Sequence, residues 1–253
     1  MNDDELMLYS RQIMLPELDV TGQERLRQAR ALIIGLGGLG SPIALYLGAA
    51  GVGHLTLADD DTVDLSNLQR QLAHQREDLG TNKAASAAAS IRAQNPHVAI
   101  EVVPHRLTDS ALLQACTRAD LVIDATDNHT SRCAINQACW QSKTVLVTGA
   151  AIGWEGHITA FDAGLDQGPC YQCLYPADSD VDLSCSENGV ISPIVGVIGS
   201  LQALEAIKML TGVGESMVGT VMFYDGKFAE WRRLSLSRSA HCPVCGDADQ
   251  TVA

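Results

Sequence analysis

Apolar residues fall in short blocks along this chain, and the spacing between blocks changes partway. Residues 31–34, 54–58, 98–103, 121–124 and 144–148 are short apolar runs, the signature of strands buried on both faces. Helical segments lie among them. One starts at Ser41-Pro42, one is the alanine-rich run 83–93 that Asn95-Pro96 closes, and one covers 109–116. Residues 5–30 also read as helical, with a break around Pro16. Beyond 148 the sequence is richer in strands: 156–162, then 220–223 and 228–236, joined by a hairpin turn at Tyr224-Asp225-Gly226-Lys227. The apolar segment 191–210 contains Pro193, Gln202, Glu205 and Lys208, so it reads as a buried or amphipathic helix and not as a membrane span.

Alternating strands and helices up to 148, then strands, predict one α/β domain over 1–253. Its nucleotide-binding half would be 31–148, a mostly parallel sheet, and an antiparallel extension would occupy 149–253. Where the first strand meets its helix, Gly35, Gly37 and Gly40 form G-x-G-x-x-G. In that context the pattern is a Rossmann-like turn: a tight bend, close backbone approach to a phosphate, and close packing of helix on sheet. Asp59 ends the second strand, where an acid for a ribose is expected. These features alone also fit an NAD-dependent oxidoreductase. Asn67, Arg70 and Lys83 shift the reading, because extra cations suit a triphosphate attacked at its α-phosphorus as pyrophosphate leaves. The expected nucleotide is ATP.

A net charge of −13 and a pI near 4.8 argue against a nucleic-acid partner. The acidic start, MNDDELMLYS, has no long apolar run and so no signal-peptide pattern. Eight cysteines without a secretory context suggest thiols and metal ligands in a cytoplasmic setting. Cys116, Cys133 and Cys139 lack partner spacing and are expected to pack. Cys170/Cys173 and Cys242/Cys245 are two C-x-x-C pairs, and four thiolates suit a structural, tetrahedral Zn²⁺. A redox pair or two unrelated pairs are the alternatives, although neither pair reads as opening a helix after a strand. Cys185 lies in a polar, acidic stretch between them.

GLGGLGSP, LADDDTVDLSNLQRQ, GTNK and DATDN, framed by YSRQI and CPVCG, resemble the ThiF/MoeB/HesA family of E1-like adenylyltransferases over nearly the whole chain. The resemblance implies adenylation, with ATP, of the C-terminal glycine of a ubiquitin-like sulfur-carrier protein by a homodimer. A sulfurtransferase or cysteine desulfurase would be a further partner. It implies that Gly38, Asp59, Ser66, Asn67 and Asn128 contact nucleotide, that Arg70 and Lys83 hold developing charge, and that Asp127 holds Mg²⁺. A helix N-cap is the other reading of Asp127. Arg11 would reach the ATP phosphates of the neighbouring subunit, with a solvated surface cation as the alternative. Cys185 would be open to covalent attachment of the carrier. An E1-like docking protein without catalysis is the remaining alternative. The carrier type stays open: the segment starting at Gly149 resembles molybdopterin-type members except for Gly153, where an arginine is common, whereas Tyr224-Asp-Gly-Lys with Trp231-Arg232 resembles thiamine-type members.

Overall fold

The computed structural model describes residues 1–165, 168–176 and 189–246. The N-terminal region forms three helices where the sequence suggested two: α1 (Asp3–Leu8), α2 (Ser10–Ile13) and α3 (Asp19–Gln28). The added break comes at Tyr9, whose backbone leaves helical geometry and whose buried ring hydroxyl accepts from Asn95 Nδ2 at 2.8 Å. That tertiary contact overrides local helix propensity.

Next come β1 (Arg30–Ile34), α4 (Gly40–Ala50), β2 (His54–Ala58), α5 (Lys83–Gln94), β3 (Ala99–Val103), α6 (Asp109–Arg118), β4 (Leu121–Asp124) and α7 (His129–Ser142). The remaining elements are β5 (Val145–Ile152), β6 (Glu155–Phe161), α8 (Tyr171–Leu174), a twenty-residue α9 (Ser192–Thr211), β7 (Thr220–Asp225) and β8 (Glu230–Ser235). One eight-stranded sheet has the order β3-β2-β1-β4-β5-β6-β7-β8. Pairing is parallel from β3 through β5 and antiparallel from β5 through β8. The change happens inside β5, which pairs with β4 over Val145 to Thr148 and with β6 over Leu146 to Ile152. A single strand thus joins the two halves.

The central strands bury nearly every side chain: Leu32, Ile33, Leu121, Val122 and Ile123 are inaccessible to within about one per cent, as expected for strands covered by helices on both faces. Among the described residues, α9 is the one helix long and apolar enough to cross a membrane. Here Ile194, Val195, Ile198, Ala203 and Ala206 are buried in the main core, and Gln202 Nε2 donates to Asp124 O at 2.9 Å, tying α9 to the end of β4. The hairpin turn lies two residues later than expected, because Tyr224 and Asp225 still belong to β7 and pair with Trp231 and Glu230. Tyr224 stacks on Trp231 with centroids 4.3 Å apart, a cross-strand aromatic pair that extends the ladder.

Candidate functional site

Strand order reverses direction between β1 and β4, and the crevice outside the carboxyl ends of these strands is where open α/β sheets bind ligands. A cleft of about 1010 Å³ occupies that position. Its floor is the turn after β1. Gly35 holds φ of +90°, which costs glycine little and any other residue more. Gly40 has to be glycine for a steric reason: a Cβ there would lie 1.9 Å from Gly35 O.

Gly38, Asp59, Asn67, Arg70, Lys83, Asp127 and Asn128 all line this cleft, brought from five separate stretches of chain. Asp59 Oδ2 accepts from Leu36 N–H at 2.6 Å and Oδ1 from Asp61 N–H at 2.8 Å. The carboxylate thus braces the glycine turn and still has lone pairs facing the cleft. Burial raises its pKa above the ordinary value, and the two backbone donors oppose that shift. Lys83 opens α5 behind its N-cap Asn82. Its ammonium donates to Asp61 Oδ2 at 2.8 Å. Arg70 donates through Nη1 to Ser66 O at 3.1 Å. Ser66 itself stands outside the lining, its hydroxyl bonded to Asp64 Oδ1 at 2.7 Å, so it supports Arg70 and does not face the cleft.

After β4, Asn128 and not Asp127 is the N-cap of α7, accepting from Ser131 N–H at 2.9 Å. The N-cap reading of Asp127 is corrected. Its exposed carboxylate has only a 3.4 Å contact from Asn128 Nδ2 among the described bonds. With Asp59, Asp60 and Asp61 in the same cleft, the donor set is carboxylate oxygen, which suits a hard divalent cation.

Arg11 is exposed on α2 and lies outside the lining. Its neighbour Gln12 donates to Ala50 O at 3.1 Å, at the far end of α4. Eleven helical residues span about 16 Å, so Arg11 is a helix length away from the glycine turn of its own chain. Cys185 lies outside the described residues.

Two cleft residues missed from sequence stand out. Gln71 is buried beside Gly37, and its Oε1 has no hydrogen-bond partner among the described residues, an acceptor left open at a ligand cleft. Arg132, one turn into α7, donates to Thr126 O at 2.7 Å and lines both the cleft and a smaller hollow of about 250 Å³. That hollow also has Ala151, His157, Tyr171, Tyr175 and Phe223 in its walls. Position within the SNLQRQ segment, or one turn after DATDN, was the available signal.

Cys170, Cys173, Cys242 and Cys245 converge, with the four sulfurs all within 4.8 Å of one another. Metal–sulfur bonds near 2.3 Å place tetrahedral ligands about 3.8 Å apart, so the cluster fits zinc. Cys170 N-caps the single turn of α8, which begins at Tyr171, well past the end of β6 at Phe161, so the pair does not open a helix directly after a strand. Cys116 and Cys139 are buried with sulfurs 3.9 Å apart.

Residues 9–244 match the ThiF family. The chain is 46% identical over 249 residues to the sulfur carrier protein ThiS adenylyltransferase of Escherichia coli K12, covering 98% of each protein. It is 47% identical over 246 residues to the molybdopterin-synthase adenylyltransferase of the same organism, covering 97% of this chain and 98% of that one. The fold is similar to the crystal structure of E. coli MccB with MccA-N7isoASN, at a TM-score of 0.83 and 20% identity, covering 95% of this chain and 75% of that one.

Proposed function

The chain belongs to the ThiF family, and from that premise we propose that it adenylates the C-terminal glycine carboxylate of a small ubiquitin-like sulfur-carrier protein. The carboxylate attacks the α-phosphorus of ATP, pyrophosphate leaves, and an acyl-adenylate is formed. A carboxylate is ionised at neutral pH, so no general base is needed. Catalysis comes from positioning and from fixed positive charge where negative charge builds. The observation that carries this reading is the meeting of Arg70, Lys83 and Asp127 with the glycine turn in one cleft at the switch point of the sheet.

In this reading the ribose lies at Asp59 and the phosphates along the backbone from Gly38, with Asn67 and Asn128 at the cleft wall. Arg70 and Lys83 take the charge of the leaving pyrophosphate. Asp127 would hold Mg²⁺, which neutralises phosphate charge when bound. The carrier tail reaches the α-phosphorus through the adjoining hollow, whose shared members with the cleft are Asp127, Arg132 and Ala151. Arg11 acts from a second copy of the chain, which makes the working unit a homodimer. The four cysteines would hold Zn²⁺ as a tie between the C-terminal segment and the body. The acyl-adenylate carbonyl is open to a thiolate, and we propose that Cys185 attacks it to form a thioester with release of AMP, while a persulfide from a sulfurtransferase or cysteine desulfurase in the cytoplasm supplies the sulfur.

Carrier-dependent exchange of labelled pyrophosphate into ATP tests the reading with a molybdopterin-type and a thiamine-type carrier in parallel. Exchange with one or both is the expected result. ATP binding without exchange for either carrier would leave a docking protein, and tight NADH binding with none for ATP would leave an oxidoreductase.

A further inference from the structure

Arg70, Lys83, Arg106 and Arg132 are the lysines and arginines that line the cleft, and of these Arg132 alone also lines the adjoining hollow. It stands in α7 and is only 9% exposed, so its charge is largely withdrawn from water. A buried cation is costly unless an anion and good acceptors offset it. Arg132 has neutral partners only. Its Nε and Nη2 donate to Thr126 O at 3.3 and 2.7 Å. The Tyr171 hydroxyl is a further hydrogen-bond partner, and no ion pair among the described residues includes Arg132. The buried carboxylate at the end of β4 is engaged elsewhere. Asp124 Oδ1 accepts from the Thr126 N–H and hydroxyl at 2.9 and 2.7 Å, and Oδ2 from the Thr148 hydroxyl at 3.1 Å. Thr126 is thereby fixed, and its carbonyl fixes the guanidinium in turn.

We propose that Arg132 anchors the terminal carboxylate of the carrier, holding it where the hollow opens into the cleft so that an oxygen faces the α-phosphorus. The inference deepens the adenylation reading and rests on it. Nucleophile and triphosphate are both anions, so their approach is opposed by like charge. Arg70 and Lys83, confined to the cleft, offset the charge of the departing pyrophosphate. A cation at the junction offsets the charge of the arriving carboxylate, and a guanidinium matches that group in planarity and hydrogen-bond spacing. The hollow strengthens the attraction, because Tyr171, Tyr175, His157 and Phe223 in its walls leave little room for water. The field of Arg132 is felt across these walls. Burial pushes the Tyr171 and Tyr175 hydroxyls up in pKa and the His157 ring down. Arg132 acts on all three as a nearby cation must, favouring an anion and opposing a second cation. Held in place by Thr126 before the carrier arrives, the guanidinium has little order left to gain on binding.

The test compares carriers ending in a carboxylate with the same carriers ending in a carboxamide, which share a shape and differ in charge. Thiamine-type and molybdopterin-type carriers, each in both forms, are titrated into enzyme saturated with α,β-methylene-ATP, which cannot release pyrophosphate. The analogue engages Arg70 and Lys83, so the ratio of acid to amide affinity reads the remaining cation. Wild type should prefer the acid by about tenfold or more, the scale of a hydrogen bond to a charged group. Arg132→Gln can still donate to Thr126 O but carries no charge. It should bind acid and amide alike, with its affinity for the analogue unchanged. Arg132→Lys keeps a charge without the fork and should keep part of the preference, and it decides the matter if Arg132→Gln does not fold. A wild-type ratio near one overturns the proposal, as does a wild-type ratio retained in Arg132→Gln or lost entirely in Arg132→Lys. A fall in analogue affinity that matches the fall in carrier affinity also overturns it, because the guanidinium would then serve the nucleotide. Each of these results can occur with pyrophosphate exchange intact in the wild type. Failure of the adenylation reading looks different: neither carrier binds in either form, none supports exchange, and the anchor falls with it.

Discussion

Replacing Lys83 with methionine separates catalytic charge from packing. The lysine side chain is 9% exposed, while its partner Asp61 is 70% exposed. Methionine fills most of the stem volume, and the carboxylate left behind is already in water, so no buried charge is orphaned. With one partner so exposed the ion pair contributes less than about 1 kcal/mol. For a chain of this size that is a shift of roughly 2–4 °C in Tm at most. The reaction should suffer far more. Removing one group aimed at developing charge costs about 3 kcal/mol in the transition state, which at 1.36 kcal/mol per decade is roughly 150-fold in rate. Pyrophosphate exchange and differential scanning calorimetry on one preparation measure both quantities. Exchange within a few-fold of wild type would refute the phosphate clamp. Loss of exchange together with a large fall in Tm would show that Lys83 acts through the fold.

Equal mixing of inactive Arg11→Ala and Asp127→Ala proteins should return about a quarter of wild-type activity, because half of a statistical dimer population is mixed and each mixed dimer has one intact composite site. No return of activity, with subunit exchange demonstrated by mass spectrometry, would place Arg11 in its own chain's site or outside catalysis. Protein purified without chelator should contain about one Zn²⁺ per chain, and Cys242→Ser should lose it and expose the C-terminal segment to protease; metal analysis finding none in the wild type contradicts the tetrathiolate site. The ring of His157 packs between Tyr175 and Phe223, and burial pushes its pKa from 6.5 down to about 3. Its folded pKa is the depressed one, so its stabilising contribution is full above pH 6.5 and lost as pH falls toward 3. Tm should drop on acidification across that window, and His157→Phe should make the drop smaller; equal slopes in both proteins would show that the ring is not held neutral.

Much of the site was readable because its parts are local. The glycine spacing after an apolar run encodes a turn through backbone freedom and close packing, both of which need only a few neighbouring residues. Asp59 and Lys83 were readable for the same reason, as each sits at the end or start of a regular element. Errors came where a distant contact decided. Tyr9 breaks a helix because Asn95, far along the chain, takes its hydroxyl. The hairpin turn moved because Tyr224 gains more by stacking across the ladder on Trp231 than by bending. The cap that was the alternative reading of Asp127 belongs to Asn128, a choice between two adjacent oxygens that only the direction of α7 resolves.

The sequence alone determined the order of strands and helices, the family, the glycine turn and the two C-x-x-C pairs, all properties carried by residue type and short spacing. Tertiary structure decided what faces what. It brought two C-x-x-C pairs within 4.8 Å, left Ser66 outside the cleft lining and put Gln71 in it, and set Arg11 a helix length from the glycine turn of its own chain. It also stacked His74, Ser86 and Asp78 behind Leu36. That arrangement joins residues from three separate turns of the chain, and no local spacing records it, because it exists only once α5 packs against the glycine turn.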